Sequence, residues 1–384
     1  MVLMVVLLLW ATPLCASLGE RYAAENRWLQ DVIGPFENDM FHDGYSPEEE
    51  DVDDSLQVKR ESVLKHNNVI TISMPGVKPQ HMDTYMCVSK KLPPSTNYIV
   101  KYEPQAKMMV AHHMLLYGCD VPFKMPGNTW TCREMHPVCG WGGRQTLLYA
   151  WAKNAPSLTM PPNVGFSIGG NSGNKYLVLQ VHYLHVAKFI GPGAISDHSG
   201  VRITYDDKYK RYLSGITVLA AGWPPIPAHK SQWHVNMGCT VTSGPTIYPF
   251  RFRTHAHKLG SVITAYRVRN NKWTIIGRGD PQRAQAFYTV QNNMDIQPND
   301  VLIGRCTYNS MSRVRETNFG ATHKDEMCNF YIMYYYDSKS GGNDFTCSGV
   351  DLSQYQYPKC NDVTLSDMEQ KKCTDSAEHL VPGN

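Results

Sequence analysis

The sequence predicts an all-β protein built from two antiparallel β-sandwiches. From Val69 onward, short runs rich in β-branched and aromatic residues alternate with turn residues. No run has the period of a long amphipathic helix. The strand pattern continues for roughly 280 residues, which is more than a single sandwich of this kind needs. A second sandwich therefore accounts for the remaining strands.

Eight runs carry the predicted strands: VITISMPG, TYMCVSKKLPP, YIVKYEP, KYLVLQVHYLHV, GVRITYDD, SGITVLAAG, GSVITAYRVRNNKWTIIGRG and FYIMYYYD. The segment VRNNKWTI predicts a hairpin whose turn is either Asn270 and Asn271 or Asn271 and Lys272. The charged stretch YDDKYKRY interrupts the pattern, so we divide the chain there into domains 61–209 and 210–350. A polar tail, 351–384, follows.

The first 17 residues have the pattern of a secretory signal peptide, an apolar run followed by small residues. A membrane anchor is the alternative, but the run is shorter than the ~20 residues that a span needs. Residues 18–60 form an acidic leader that ends at the dibasic pair Lys59 and Arg60. The leader is either a propeptide cut at that pair or an uncleaved flexible arm. No later stretch is apolar enough to cross a bilayer.

The charge and the cysteines limit the functional class. A formal net charge of +3 with 18% charged residues does not suggest a nucleic-acid binder. Removal of the signal peptide takes Cys15 and leaves ten of the 11 cysteines, an even number that predicts five disulfides in an exported chain. No CxxC pair is present, which argues against thiol redox catalysis and zinc-ribbon sites. Count alone does not give the pairing.

The 15 histidines fall into three notable groups: His112 with His113, His182 with His185, and His255 with His257. His182 lies in an apolar run, where a lone histidine is more often a core residue. Neighbouring side chains on a regular strand point to opposite faces, so His112 and His113 reach one ion only if the backbone bulges or the rings bind through particular nitrogens. The strand pattern leaves that question open.

A second candidate cluster joins two segments. If FRTHAHKLG is a strand, Arg253, His255 and His257 share one face. In DEMCNFYIMYYYD the residues Met327, Asn329 and Tyr331 share a face as well. If the two strands are adjacent, two imidazoles and a thioether lie together, and this soft ligand set favours copper. The guanidinium, amide and phenol beside them are hydrogen-bond donors suited to a carboxylate. The alternatives are an exposed basic strand face and a Met and Tyr that only pack in the core.

Six segments together resemble the copper-dependent peptidylglycine α-hydroxylating monooxygenases: HHMLLYGC, LQVHY, THAHKLG, YRVRNNKWTIIGR, AQAFYTV and DEMCNFYIMYY. The likeness runs from about Met74 to Cys347. It implies two jelly-roll-like β-sandwich domains, each with one copper ion, across a solvent-filled cleft. It also implies ascorbate as reductant and O2 as co-substrate.

The resemblance assigns roles to the candidate residues. The electron-donating copper would be held by His112, His113 and His182, and the catalytic copper by His255, His257 and Met327. The carboxylate of the substrate would bind Arg253, Asn329 and Tyr331. The implied disulfides are Cys87 with Cys132, Cys119 with Cys139, Cys239 with Cys347, and Cys306 with Cys328. One family bridge of the first domain is absent, and Cys360 and Cys373 are left to pair with each other.

The implied activity is hydroxylation of the α-carbon of a C-terminal glycine in glycine-extended peptides, within the secretory pathway, a granule lumen or the extracellular space. A separate lyase would complete amidation. One rival is a dopamine β-monooxygenase-like hydroxylase, but the roughly 60 residues ahead of the core are too few for that family's extra domain. Its amine substrates also lack a carboxylate. The other rival is a non-catalytic secreted copper-binding β-sandwich.

Overall fold

The structure is a computed structural model that describes residues 68–132, 137–320, 324–340, 345–357 and 363–364. The predicted signal peptide, the leader with Lys59 and Arg60, and the pair Cys360 and Cys373 lie outside the described residues. Within the described ranges, no helix has the length and apolar character that crossing a bilayer requires.

Twenty strands are described. The first ten are β1 Asn68–Ser73, β2 Thr84–Lys91, β3 Asn97–Gln105, β4 His113–Cys119, β5 Thr129–Thr131, β6 Gln145–Ala152, β7 Leu158–Thr159, β8 Val164–Ile168, β9 Tyr176–Tyr183 and β10 Gly200–Asp206. The others are β11 Tyr212–Ala221, β12 Trp233–Ser243, β13 Tyr248–His255, β14 Gly260–Arg269, β15 Lys272–Gly279, β16 Tyr288–Thr289, β17 Val301–Tyr308, β18 Cys328–Asp337, β19 Thr346–Gly349 and β20 Val363–Thr364. Two short 3₁₀ helices, Ala187–Phe189 and Leu352–Gln354, are the helical elements among the described residues.

The strands form three sheets. One has nine strands in the order β1-β10-β3-β8-β11-β18-β13-β16, with β7 beside β3. The second has the order β19-β12-β17-β14-β15-β20, and the third β5-β2-β9-β4-β6. The predicted all-β class is confirmed. Most pairs are antiparallel, as expected, but β8 with β11 and β15 with β20 run parallel.

Two hydrophobic cores lie between the sheets, as a pair of β-sandwiches requires. The first core packs Ile99 and Val201 of the nine-stranded sheet with Leu116 and Leu179 of the five-stranded sheet. The second packs residues of β11, β13 and β18 with residues of the six-stranded sheet. The nine-stranded sheet serves both cores, because the β8–β11 pair joins its two halves. The split into domains 61–209 and 210–350 stays a prediction.

The hairpin of β14 and β15 confirms the turn expected from VRNNKWTI. Asn270 and Asn271 form the turn, with φ of 50° and 57°. Positive φ at both central residues is the signature of a type I′ turn, in which asparagine is favoured. Of the two alternatives, the turn is therefore Asn270 and Asn271.

The described residues form four disulfides, which are the same four pairs that the resemblance implied: Cys87–Cys132, Cys119–Cys139, Cys239–Cys347 and Cys306–Cys328. The Cys306–Cys328 bridge joins β17 of the six-stranded sheet to the first residue of β18 in the nine-stranded sheet. It therefore fixes the chain directly after Met327.

Candidate metal centres

The first histidine group is built on two neighbouring strands. His113 is the first residue of β4 and lies opposite His182 of β9. His112 precedes the strand, and its backbone N–H donates to the carbonyl of His182 at 2.9 Å. Because His112 lies outside the regular strand, its side chain is not bound by the alternation that would separate it from His113. No bulge is needed at this position.

The three rings turn their Nδ1 atoms towards one point. The Nδ1 of His112 lies 3.3 Å from that of His113 and 3.3 Å from that of His182. Ligand atoms of all three histidines lie within 4.8 Å of one another. Two nitrogens each ~2.0–2.1 Å from one metal ion, at an angle near 110°, would lie roughly 3.3–3.5 Å apart. The group therefore fits a single metal ion bound through Nδ1.

The surroundings of this first group favour the neutral form of His113 and His182 and orient the His182 ring. Burial lowers the pKa of His113 well below its usual value, and the neighbouring His182 and His112 lower it further. Burial also lowers the pKa of His182, against the opposing effect of Asp83. Asp83 Oδ1 lies 3.3 Å from His182 Nε2, and a carboxylate accepts, so Nε2 carries the proton and Nδ1 keeps its lone pair. Tyr85 stacks on the His182 ring at 4.2 Å.

The second group lies where β13 ends and β18 begins. The two strands pair, with Arg253 opposite Tyr331 and His255 opposite Asn329. The expectation of one continuous strand through His257 is wrong, because β13 ends at His255 and His257 lies in the connection to β14. Met327 was also expected on a strand, but it lies one residue before β18 begins. The residues still converge. His255 Nε2 lies 3.2 Å from Met327 Sδ, and the two histidine rings are 5.6 Å apart.

Hydrogen bonds to fixed acceptors orient both rings of the second group. The Nδ1 of His257 lies 2.8 Å from the carbonyl of Asp325, which can only accept. The Nδ1 of His255 donates in the same way to Gln285 Oε1 at 3.0 Å. Each ring therefore keeps the Nε2 lone pair for a ligand. Burial lowers the pKa of His255 well below its usual value, as do the charges of Arg253 and His257.

A buried carboxylate holds the two ligand segments together. Glu326 is fully buried and accepts the backbone N–H groups of His257 at 2.8 Å, Met327 at 3.1 Å and Leu259 at 2.5 Å. Burial raises the pKa of Glu326 to about 7 against these three donors. Between the histidines, Ala256 is fully buried, and a Cβ at Gly260 would meet its methyl group at 2.4 Å. Two small residues therefore let the turn close.

The expected carboxylate-binding residues lie beside the second group. Arg253 is 1% exposed, and its Nε and Nη2 donate to Gln285 O and Oε1 at 3.0 and 2.9 Å. Its guanidinium lies 5.0 Å from the centre of the Tyr331 ring. Its buried Nη1 makes no hydrogen bond within the described part of the chain. Asn329 Nδ2 lies 4.0 Å from Met327 Sδ, which brings the amide to the same place.

Sequence reasoning missed three residues of these sites: Asp83, Gln285 and Glu326. Gln285 and Glu326 stand inside segments that carry the resemblance, AQAFYTV and DEMCNF, but no residue type marked either of them. Asp83 lies just before β2, outside every such segment. Their roles depend on hydrogen bonds between distant segments, which spacing does not reveal.

The two groups face each other across the seam between the sandwiches. The charges of His255 and Arg253 contribute to the lowered pKa of His113. Lys153 Nζ, from the first half of the chain, donates to the carbonyl of Gln282 in the second at 3.0 Å. Phe287 packs beside Tyr149, with ring centres 6.5 Å apart. The sites therefore share one region of the molecule.

A pair of β-sandwiches with three converging histidines in one half, and two histidines with a thioether in the other, defines a class of redox-active copper proteins. Residues 70–189 match the N-terminal domain of the copper type II ascorbate-dependent monooxygenases, and residues 212–359 match the C-terminal domain. The chain belongs to the copper type II ascorbate-dependent monooxygenase family.

The chain is similar to amidating monooxygenases and, at lower identity, to dopamine beta-hydroxylase. The chain is 41% identical over 279 residues to peptidyl-glycine alpha-amidating monooxygenase B of Xenopus laevis, which covers 72% of this chain and 31% of that protein. It is 39% identical to peptidylglycine alpha-amidating monooxygenase of Rattus norvegicus, covering 73% of this chain and 28% of that one. Dopamine beta-hydroxylase of Homo sapiens is 29% identical, over 69% of this chain and 45% of the human protein. The matched region thus spans less than a third of the amidating relatives.

Proposed function

We propose that this chain is a monooxygenase that hydroxylates the α-carbon of a C-terminal glycine in glycine-extended peptides, the first step of peptide amidation. One observation carries the proposal: His255 Nε2 and Met327 Sδ meet at 3.2 Å beside a buried arginine whose Nη1 makes no hydrogen bond to the described residues. A soft ligand set next to a cationic anchor suits oxidation of a substrate that carries a carboxylate. The higher identity to amidating relatives than to dopamine beta-hydroxylase supports this choice.

The ligand assignment follows the two groups. His112, His113 and His182 would hold the electron-donating ion, and His255, His257 and Met327 the catalytic ion. The fit rests on the donor chemistry: Nδ1 atoms that converge in the first group, and two Nε2 lone pairs with a thioether in the second. When bound, copper supplies the one-electron redox chemistry that O2 activation requires. The Met327 thioether is a weak, soft donor that leaves room for a further ligand.

Substrate binding is assigned to Arg253, Asn329 and Tyr331. The Nη1 of Arg253 donates to the peptide carboxylate, while Gln285 accepts from Nε and Nη2 and so holds the other edge of the guanidinium in place. Tyr331 is buried with its pKa raised by burial, so its hydroxyl stays protonated and can donate as well. Fixing the carboxylate fixes the neighbouring α-carbon next to the Met327 ligand set. Catalysis then depends mainly on positioning.

The reaction inserts one atom of O2 into the Cα–H bond and reduces the other to water, with two electrons from ascorbate and two protons. The product is an α-hydroxyglycine peptide, and release of the amide requires cleavage of the N–Cα bond. A lyase is therefore the proposed partner of this activity. We also assign the reaction to the secretory pathway, in a granule lumen or outside the cell, since four disulfides are typical of an oxidising compartment.

The test offers three substrates in parallel to the copper-loaded protein with ascorbate and O2: a peptide ending in glycine, the same peptide ending in glycinamide, and phenethylamine. We expect hydroxylation of the first alone, because the second differs from it only in lacking the carboxylate. Oxidation of phenethylamine in preference would identify a dopamine β-monooxygenase-like enzyme. Copper binding without oxygen consumption on any substrate would identify a non-catalytic copper protein.

A further inference from the structure

A cationic cavity opens beside the first histidine group. It has a volume of about 280 Å³ and lies at the seam, with Lys153 and Lys188 from the first half of the chain and Lys258 and Gln282 from the second in its walls. His112 forms part of the same wall. Among the described residues that line it there is no aspartate or glutamate. The cavity therefore offers three positive charges next to one edge of a metal-ligand ring.

We propose that this cavity binds the ascorbate monoanion and that His112 passes its electron to the first metal site. The inference rests on the proposed function, because it assumes that the first group holds the electron-accepting copper. The volume is close to the ~300 Å³ at which small-ligand pockets begin, so a small sugar acid fits and a folded partner does not. A cleft lined by one sign of charge also concentrates ligands of the opposite sign.

The walls are held in place before any ligand binds. Lys153 donates to the carbonyl of Gln282 at 3.0 Å, which links the two halves of the chain across the cavity. Lys188 donates to the carbonyl of Met109 in the loop ahead of the first histidine group. Lys258 is exposed at the mouth. Burial lowers the pKa of Lys153 to about 8, although Asp280 opposes the effect, so an anion beside it would stabilise its charged form.

His112 connects the cavity directly to the first histidine group. Its ring is half-buried, with one side on the cavity and Nδ1 directed to the other two histidines. Each ascorbate monoanion gives one electron to Cu(II), which becomes Cu(I), and releases one proton to solvent. The product is the monodehydroascorbate radical anion. Two such events supply the two electrons that one hydroxylation consumes.

The cavity is distinct from the proposed anchor of the peptide. Arg253 does not line it, and His255 and Met327 are also absent from its wall. A reductant bound there would not compete with the peptide carboxylate. Reductant and substrate would therefore bind at different places in the molecule.

The experiment measures the rate at which the Cu(II)-loaded protein is reduced, by the loss of its electron paramagnetic resonance signal without peptide or O2. We compare the wild type with the double variant Lys188→Gln/Lys258→Gln. Ascorbate is the anionic reductant and hydroquinone the neutral one. We expect the ascorbate rate to fall at least about tenfold in the double variant and the hydroquinone rate to change less than about twofold. The control Lys272→Gln/Lys339→Gln also removes two charges, from exposed positions outside the cavity, and should change neither rate.

A second readout does not depend on electron transfer. Saturation-transfer NMR on the Cu(I)-loaded protein under nitrogen should show ascorbate bound to the wild type and lost in Lys258→Gln alone, a variant of an exposed side chain. An unchanged ascorbate rate, or an equal fall with both reductants, would overturn the proposal. So would a rise in the peptide KM with normal reduction, which would assign the cavity to the substrate. Reduction is measured without peptide, so its result does not depend on whether the protein hydroxylates peptides. The proposed hydroxylation can fail in the substrate test while the reduction result stands.

Discussion

The two metal-ligand groups use opposite sides of the imidazole ring. In the first group the Nδ1 atoms of His112, His113 and His182 converge, whereas in the second the Nδ1 atoms of His255 and His257 are engaged by Gln285 and Asp325. The first group also reaches a cavity through the half-buried His112. His255, His257 and Met327 are each at most 1% exposed.

This difference matches two tasks. A site that only receives and passes on electrons needs one edge open to a reductant. A site that oxidises a substrate gains from a closed wall, because water is excluded and the ligands are fixed by buried partners. The second group accordingly has the denser set of hydrogen bonds, with Gln285 and Glu326 both buried. The predictions below test this division, from the largest expected effect to the smallest.

The largest effect is expected from Met327→Ile. Isoleucine keeps the apolar volume but removes the sulfur, so the proposed catalytic copper site would lose a ligand while the core stays filled. We expect kcat/KM for a glycine-extended peptide to fall at least about 100-fold, with secretion and the melting temperature nearly unchanged. Reduction of the first-site copper should proceed at the wild-type rate.

Met333→Ile is the matched control for that variant. Met333 lies on the same strand, β18, and is also fully buried, but it packs in the first hydrophobic core. It should keep full hydroxylase activity. Turnover in Met327→Ile equal to that of the control would remove Met327 from the catalytic site.

Arg253→Gln should have the next largest effect. A charge-assisted hydrogen bond to the peptide carboxylate is worth about 1.5–3 kcal/mol, which corresponds to a loss of roughly 10- to 150-fold in kcat/KM, mostly through KM. Steady-state kinetics with the glycine-extended peptide measures it. Arg251→Gln, two residues earlier on the same face of β13, should leave KM unchanged, and an equal KM in both variants would move the anchor elsewhere.

Much of the second site could be predicted from sequence, because its residues stand two apart on segments with clear strand character. The spacing of Arg253 with His255, and of Asn329 with Tyr331, places each pair on one strand face, and the register of β13 with β18 joins the pairs. The position of His257 could not be predicted. Where a strand ends depends on what the following turn packs against, here Ala256 beside Gly260.

The first site and the arrangement of the sheets were harder to predict from the sequence. Whether the adjacent His112 and His113 can reach one ion is decided by where their Nδ1 atoms lie. Those positions depend on side-chain rotamers, which spacing in the sequence does not reveal. The continuous sheet through β8 and β11 joins strands from the two expected domains, and a two-residue parallel register leaves no pattern in either segment. Strands β6, β12 and β17 lay outside the predicted runs, since their sequences mix polar and small residues with apolar ones.

Gln285→Leu should weaken the second site without touching the first. The amide oxygen receives both His255 Nδ1 and Arg253 Nη2, so its loss frees the ring to rotate and leaves a buried guanidinium less well paired. We expect the affinity for the catalytic copper to fall about 10- to 100-fold, measured by competition with a Cu(I) chelator. Gln291→Leu, on an exposed loop position, is the control. An equal loss at both copper sites would point to general destabilisation instead.

Asp83→Asn should have the smallest effect, and it completes the comparison between the sites. Asp83 orients His182 as Gln285 orients His255, through a contact of 3.3 Å to Nε2. The Asp83 side chain is 39% exposed, however, so solvent screens its charge and water can accept the hydrogen bond from His182 instead. The amide of Gln285 is buried, and water cannot take its place. We expect the first-site copper affinity to fall less than about tenfold, by the same chelator competition. A loss larger than that of Gln285→Leu would contradict this expectation. It would show that copper affinity depends more on the hydrogen bonds to the ligand histidines in the first group than in the second.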